Sequence, residues 1–265
     1  MSMKAYKGET IDLASYLKEV QIAGQEAGFV VEHCYGKLSF PILALHKKCI
    51  APKATIHLTA GIHGDEPAGS MAILKLLQNN VFSEDFDVIL FPLLNPEGMQ
   101  ANQRENGKSK DINRDYLKLE TPEARCHTQW LKNNIQRFDV SLNLHEDWEA
   151  QGYYLYENNP YGEISVAQEI LDAVKPITGI DTSSIIDTCP AKNGIIRIHE
   201  LNGSELLLEG EWPETFYMMK NYTRHSYTFE SPSNMFPLAE RTKAHYIAVK
   251  QVLHALEYNG YWFDI

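Results

Sequence analysis

The stretch "LTAGIHGDEPAG", residues 58–69, decides the reading of this chain. An apolar run ends in a turn holding His63, Asp65 and Glu66, and a helix-like run starts at Pro67. By itself such a turn is a helix cap, since Asp65 suits an N-cap and Pro67 a first helical turn. The rest of the chain is what gives it a second meaning.

Working outward, residues 40–47 (FPILALHK), 54–61 (ATIHLTAG), 86–94 (FDVILFPLL), 138–145 (FDVSLNLH), 152–157 (GYYLYE), 204–210 (SELLLEG) and 226–231 (SYTFES) read as strands. Helix-period stretches cover 67–79, 121–136, 161–175, 213–221 and 237–258. Nearly continuous apolar strands alternating with helices predict an α/β three-layer sandwich, a mixed, mostly parallel sheet with helices on both faces. No repeat, low-complexity tract or linker divides residues 1–265, so they are expected to form one domain. Such sheets bind ligands beyond the carboxyl ends of their strands. His63, Asn95, His145 and Glu230 all fall at strand ends in this reading, where a site is expected.

The chain has 265 residues, 44% of them hydrophobic, enough for a sizeable core. Its formal charge of -11 is spread along the sequence, which favours solubility and makes nucleic acid a poor partner. No segment reaches the apolar length of a membrane span, and the first twenty residues hold no continuous apolar stretch of the export type; a cytoplasmic protein is expected. Cys34, Cys49, Cys126 and Cys189 show no CxxC pairing, so reduced and mostly buried thiols are the expectation.

His63 and Glu66, three residues apart at a helix start, can converge on one ion, with His145 reaching in from a neighbouring strand. Two imidazoles and one carboxylate leave a fourth zinc position open, as in a catalytic rather than a structural site. The segments "GIHGDEPAG", "LLNPEGM", "QRENGKSKDINRDY", "LNLHED" and "SYTFESPS", spread over residues 61–231, then occur in the order and rough spacing of the zinc carboxypeptidase family. The chain resembles that family, and in length is similar to its compact bacterial members, the murein peptide amidases.

The resemblance implies one zinc per chain, bound by His63, Glu66 and His145, with Glu230 as general base. It implies that Arg104 polarises the scissile carbonyl, that Asn113 and Arg114 grip a terminal carboxylate, and that Asp111 hydrogen-bonds a zinc histidine. The residue types suit those roles. A carboxylate can take a proton from water and return it to a leaving amine, and arginine binds a carboxylate bidentately. The implied partner is a peptide or amide substrate with a free carboxylate; neither nucleic acid nor membrane is expected, and the oligomeric state is left open. The remaining histidines, His33, His46, His57, His127, His199, His225, His245 and His254, show no ligand-like partner in the sequence and are expected to be surface or satisfied core residues.

The chain also departs from the family. Where a mobile tyrosine is usual, about twenty residues before the catalytic glutamate, position 208 is leucine. Tyr217 or Tyr222 could supply the phenol, or either could be core. A small residue usually follows the last zinc ligand; here Glu146 and Asp147 follow, and could repel an acidic substrate, attract a basic one or hold a second cation. The competing reading is an N-acyl amino acid deacylase of the succinylglutamate desuccinylase/aspartoacylase type, which shares a similar "HGDE", "DxNR" and late glutamate. "NPEG", and a "TFE" that ends a sheet strand, favour the peptidase. A non-enzymatic binding module is disfavoured by the intact set of ligands, base and arginine, and no G-x-S-x-G elbow points to a serine hydrolase.

Overall fold

The computed structural model describes residues 9–35, 39–198 and 210–258. Its frame is an eight-stranded sheet in the order β1-β2-β4-β3-β5-β10-β6-β9. At the centre, β3 (Ala54–Ala60) lies between β4 (Phe86–Phe91) and β5 (Val140–Asp147), and β10 (Ser226–Pro232) extends this parallel block beyond β5. β2 (Ile42–Lys47) flanks it antiparallel on one side, and β1 (Val30–Tyr35) pairs antiparallel with β2 at that edge. β6 (Tyr154–Asn158) does so on the other, with β9 (Ile195–Ile198) parallel to β6 at that edge. Every position of β4 is buried, as a strand covered on both faces requires.

Helices close both faces. On one lie α1 (Leu13–Glu26), α2 (Pro67–Gln78), α5 (Ala167–Thr178) and α7 (Leu238–Tyr258), whose Leu17, Leu76, Ile170 and Val249 share a core with Leu58 and Leu142 of the sheet. On the other lie α4 (Pro122–Asn134) and α6 (Glu214–Asn221), with Trp130, Leu131 and Met218 packed on Ile89 and Phe91. The chain runs from β3 to β4 through α2, and from β4 across to β5 through α4 on the opposite face. The two connections part company between β3 and β5, and a cleft opens where those strands end. The predicted three-layer sandwich is thus observed.

Several details differ from expectation. α5 begins at Ala167 rather than 161, because Gly162, at φ +72°, turns the chain first. The expected strand at 204–210 lies, apart from its last residue, outside the described residues, as do Leu208 and His199. The sequence reading overlooked α1, β1, the short α3 (Pro96–Ala101), the small hairpin of β7 (Ile185–Ile186) and β8 (Cys189–Pro190), and β9. α1 did carry a signal: the Asp12 side chain accepts from the backbone N–H groups of Ala14 and Ser15, a good N-cap.

The expectation of reduced, mostly buried thiols is overturned for Cys34 and Cys126. Cys34 on edge strand β1 and Cys126 on α4 form a disulfide, with Cα atoms 5.9 Å apart, because α4 packs beneath that edge. Cys49 and Cys189 lie outside that bond and are only partly buried. No described helix is long and apolar enough to cross a membrane.

Candidate metal centre and active site

The turn after β3 is fixed by close backbone contact. A Cβ built on Gly64 would lie 1.9 Å from the Gly98 carbonyl carbon, and one on Gly98 would lie 2.5 Å from the Glu105 oxygen. Only paired glycines let the "HGDE" and "NPEG" turns pack this tightly. Asn95, the N-cap of α3, accepts from Gly98 N–H at 2.9 Å and donates to the Arg104 carbonyl at 3.2 Å. Asn95 therefore holds the loop that carries Arg104 and does not itself face the cavity.

Glu66 occupies the N-cap position of α2 but makes no capping bond. Its two carboxylate oxygens turn instead to His63 Nδ1 (2.6 Å) and His145 Nδ1 (2.9 Å). The missing cap comes from Glu146, whose Oε1 accepts from the Ala68 backbone N–H at 2.8 Å in the first turn of α2. Glu146 Oε2 also accepts from Ser231 Oγ at 2.9 Å and pairs with the buried Arg241. With both oxygens engaged, Glu146 ties α2, β5, β10 and α7 together and is not left for a second cation. Burial raises its pKa to about 7 despite the arginine.

His63, Glu66 and His145 are all buried, and their donor atoms lie within 4.8 Å of one another. Burial opposes the charge on Glu66, but the two imidazoles outweigh it and hold the carboxyl well below its usual range. For His63, burial is outweighed by Glu66 and Asp111, which raise its pKa; for His145, burial prevails and lowers it. Two imidazole nitrogens and a carboxylate facing one point suit zinc, which takes nitrogen and oxygen donors in this combination. Asp111 Oδ1 stands 3.4 Å from His63 Nε2, on the side of the ring turned away from Glu66.

The structure brings the other expected residues to the same cavity of about 540 Å³, lined by Arg104, Asn113, Arg114 and Glu230 along with the three putting their donors on the metal point. Arg104 Nε donates to Asp111 Oδ2 at 3.0 Å, and its NH1 lies 3.3 Å from His63 Nδ1. Asn113 and Arg114 sit on a single 3-10 turn, Ile112–Arg114, started by Asp111, whose Oδ1 accepts from Asn113 N–H. Asn113 Oδ1 accepts from Glu214 N–H at 2.8 Å, which leaves its amide N–H groups as the donors for a ligand. Glu230 is the register neighbour of His145. Burial, reinforced by Glu66, Asp147 and Asp187, pushes its carboxyl well above the ordinary value.

Neither Tyr217 nor Tyr222 lines the cavity. Tyr217 is buried against Tyr116 and Tyr222, and Tyr222 packs on Phe138. The tyrosines that do line it, Tyr154 and Tyr156, escaped the sequence reading, although alternate residues of one strand share a face. Among the remaining histidines, His57 and His127 are hydrogen-bonded core residues, as expected, though they form a ligand-like group that the sequence did not show. His57 Nε2 lies 3.2 Å from His127 Nε2, Ser141 Oγ is 2.9 Å from His57 Nδ1, and Tyr116 OH is 2.8 Å from His127 Nδ1. Glu214 completes this buried group beneath the site. Burial lowers His57 to about 3 and raises Glu214 to about 8.

The fold and the two-histidine, one-carboxylate group together define a zinc carboxypeptidase-like protein. More narrowly, the profile of the succinylglutamate desuccinylase/aspartoacylase catalytic domain matches residues 52–188, over half of the chain, and the chain belongs to that family. Carboxypeptidase 2 of Trichophyton rubrum is 33% identical over 104 residues, which cover 36% of this chain and 19% of that protein. Carboxypeptidase SOL1 of Arabidopsis thaliana is 30% identical over 105 residues, 32% of this chain and 21% of its own. The chain spans about a fifth of the length of the curated relatives it matches. Among solved structures, one from Shewanella denitrificans OS217 superposes with a TM-score of 0.76 at 22% identity, covering 94% of this chain and 97% of that one. A metallo-carboxypeptidase from Burkholderia cenocepacia gives 0.68 at 13%, covering 94% and 70%. At these identities the superpositions speak for the fold.

Proposed function

We propose that this chain is a zinc-dependent hydrolase of the carboxypeptidase type that cleaves a peptide or amide bond beside a free carboxylate, with residues 1–265 forming one catalytic unit. The observation that carries the reading is the convergence of His63 Nδ1 and His145 Nδ1 on the two Glu66 oxygens, with Glu230 on the strand next to His145. Zinc, when bound, would acidify a water and polarise the scissile carbonyl. Glu230 takes the proton of the attacking water and hands it to the leaving nitrogen as the C–N bond breaks; its raised proton affinity suits the second half of that exchange. Arg104, kept in place by Asp111, offers positive charge to the oxyanion. Asp111 also orients His63 from behind. Arg114 and the amide nitrogen of Asn113 bind the substrate carboxylate.

A second reading, N-acyl amino acid deacylation, is favoured by the family match. It uses the same metal ligands, base and carboxylate clamp, and differs in what lies on the acyl side. Metal-loaded protein assayed side by side with an unblocked dipeptide and an N-acetyl amino acid separates the two. Faster peptide cleavage supports the peptidase reading, and turnover of the N-acyl amino acid alone replaces it with the deacylase.

A further inference from the structure

The cavity continues past the metal ligands along the face shared by β6 and β10. Glu230 is paired with Tyr154 and Thr228 with Tyr156 in that antiparallel ladder, and all four side chains line the cavity. Each tyrosine hydroxyl donates to an acid, Tyr154 to Asp147 Oδ2 at 3.0 Å and Tyr156 to Asp187 Oδ2 at 2.5 Å. Asp187 is brought there by the turn between β7 and β8, where Asp187 and Thr188 both have positive φ (44° and 62°), the geometry of a tight two-residue hairpin.

Three features of this end of the cavity point to what it takes. First, Asp147 and Asp187 have no lysine, arginine or histidine partner among the described residues; their hydrogen bonds come from neutral tyrosine hydroxyls and, for Asp147, the Glu149 backbone N–H. Among the described residues the lining contains no lysine, and neither of its two arginines pairs with Asp147 or Asp187: Arg104 is paired with Asp111, and Arg114 lies 3.9 Å from Glu211. Second, Thr228, only 8% exposed, has a buried Oγ1 with no hydrogen-bond partner among the described residues, although it lines the cavity. A buried hydroxyl without a partner costs about 1 to 3 kcal/mol, so it is a place for a ligand donor. Third, the walls between are apolar: the rings of Tyr154 and Tyr156, with Ile186 and Ile198.

We infer that this end of the cavity is a subsite for a cationic head on a short aliphatic stem, the ammonium or guanidinium of a lysine- or arginine-like side chain in the substrate. The inference rests on the hydrolase reading for its place beside the reacting bond. The stem packs along the tyrosine rings and isoleucines, while the head replaces neutral donors at Asp147 and Asp187 with a charge and offers an N–H to Thr228. The same carboxylates repel an acidic side chain, so N-acyl aspartates and glutamates are poor substrates for this member of the family.

The test uses the zinc-loaded full chain with N-benzoylglycyl peptides ending in lysine, norleucine or aspartate, norleucine having the lysine stem without the charge. The lysine peptide should exceed norleucine by at least about tenfold in kcat/KM, and aspartate should fall below norleucine. In Asp187→Asn and Asp147→Asn the lysine-over-norleucine ratio should fall by about tenfold, the range expected for losing one of two partly solvated carboxylates. A wild-type ratio near one, or a ratio that both variants retain, overturns the subsite. If none of the peptides is cleaved, the hydrolase reading fails separately, and calorimetric binding of free lysine against free norleucine still decides. Tighter lysine binding that weakens in Asp187→Asn upholds the subsite, and equal binding overturns it.

Discussion

Glu230 and His145 are register partners at the ends of two hydrogen-bonded parallel strands, β10 and β5. Neighbouring strands lie about 4.8 Å apart, so the sheet itself sets the acid one strand spacing from a metal ligand. A base held by a ladder needs no loop closure to reach its place. Glu230→Gln keeps the size of the side chain and removes the proton acceptor. It should retain zinc and substrate binding while kcat falls by roughly 10² to 10⁴. Steady-state kinetics with parallel metal analysis checks this, and unchanged turnover would move the base elsewhere.

The carboxylate clamp makes a second prediction. If Arg114 binds the free carboxylate, Arg114→Ala and amidation of the substrate should each lower kcat/KM by about tens to thousands of fold. Combined, they should cost little more than either alone, because both delete one contact. Additive losses, or equal cleavage of free and amidated peptides, would give Arg114 another role.

Glu214 predicts a pH dependence of stability. Burial raises its folded pKa from 4.5 to about 8. A raised carboxyl pKa means the folded state holds the proton more tightly. Its contribution is therefore full below about pH 4.5 and is lost as pH rises through about 8. Glu214→Gln cannot ionise and can still accept from Thr59. Between pH 5 and 9 its melting temperature should rise relative to the wild type, by the equivalent of roughly 4 kcal/mol. Parallel melting curves across that range would show that Glu214 does not hold a proton in the fold.

The Cys34–Cys126 bond closes a loop with a sequence separation of 92 residues. The native, unreduced chain should titrate two thiols, Cys49 and Cys189, and the Cys34→Ser, Cys126→Ser double variant should lose about 2 to 4 kcal/mol of stability. Four reactive thiols in the native chain would contradict the pairing.

The sheet was legible in the sequence because its central strands are apolar on both faces, a pattern that only a doubly covered strand produces. The grouping of the three proposed ligands was legible because His63 and Glu66 share one turn and His145 ends the strand that neighbours β3. The disulfide was not, since Cys34 and Cys126 meet only once α4 packs against an edge strand that is itself polar, "VVEHCY". Asp187 and Thr228 were invisible for a related reason. One stands on a two-residue hairpin too short for any periodic signal, and the other owes its lack of a partner to the packing around it. Glu146 was read as one of two acids that could meet the substrate or hold a second cation, but the N-terminus of α2, left uncapped when Glu66 turned to the histidines, drew it away.

The central claim is a zinc centre made by His63, Glu66 and His145, and metal content tests it most directly. Protein purified without chelator and analysed by plasma mass spectrometry should carry one zinc per chain. His145→Ala should carry essentially none while keeping the circular dichroism of the folded chain, since the sheet and its two cores do not depend on that side chain. Full zinc occupancy in folded His145→Ala, or a wild-type chain that binds no zinc when it is supplied, would contradict the account.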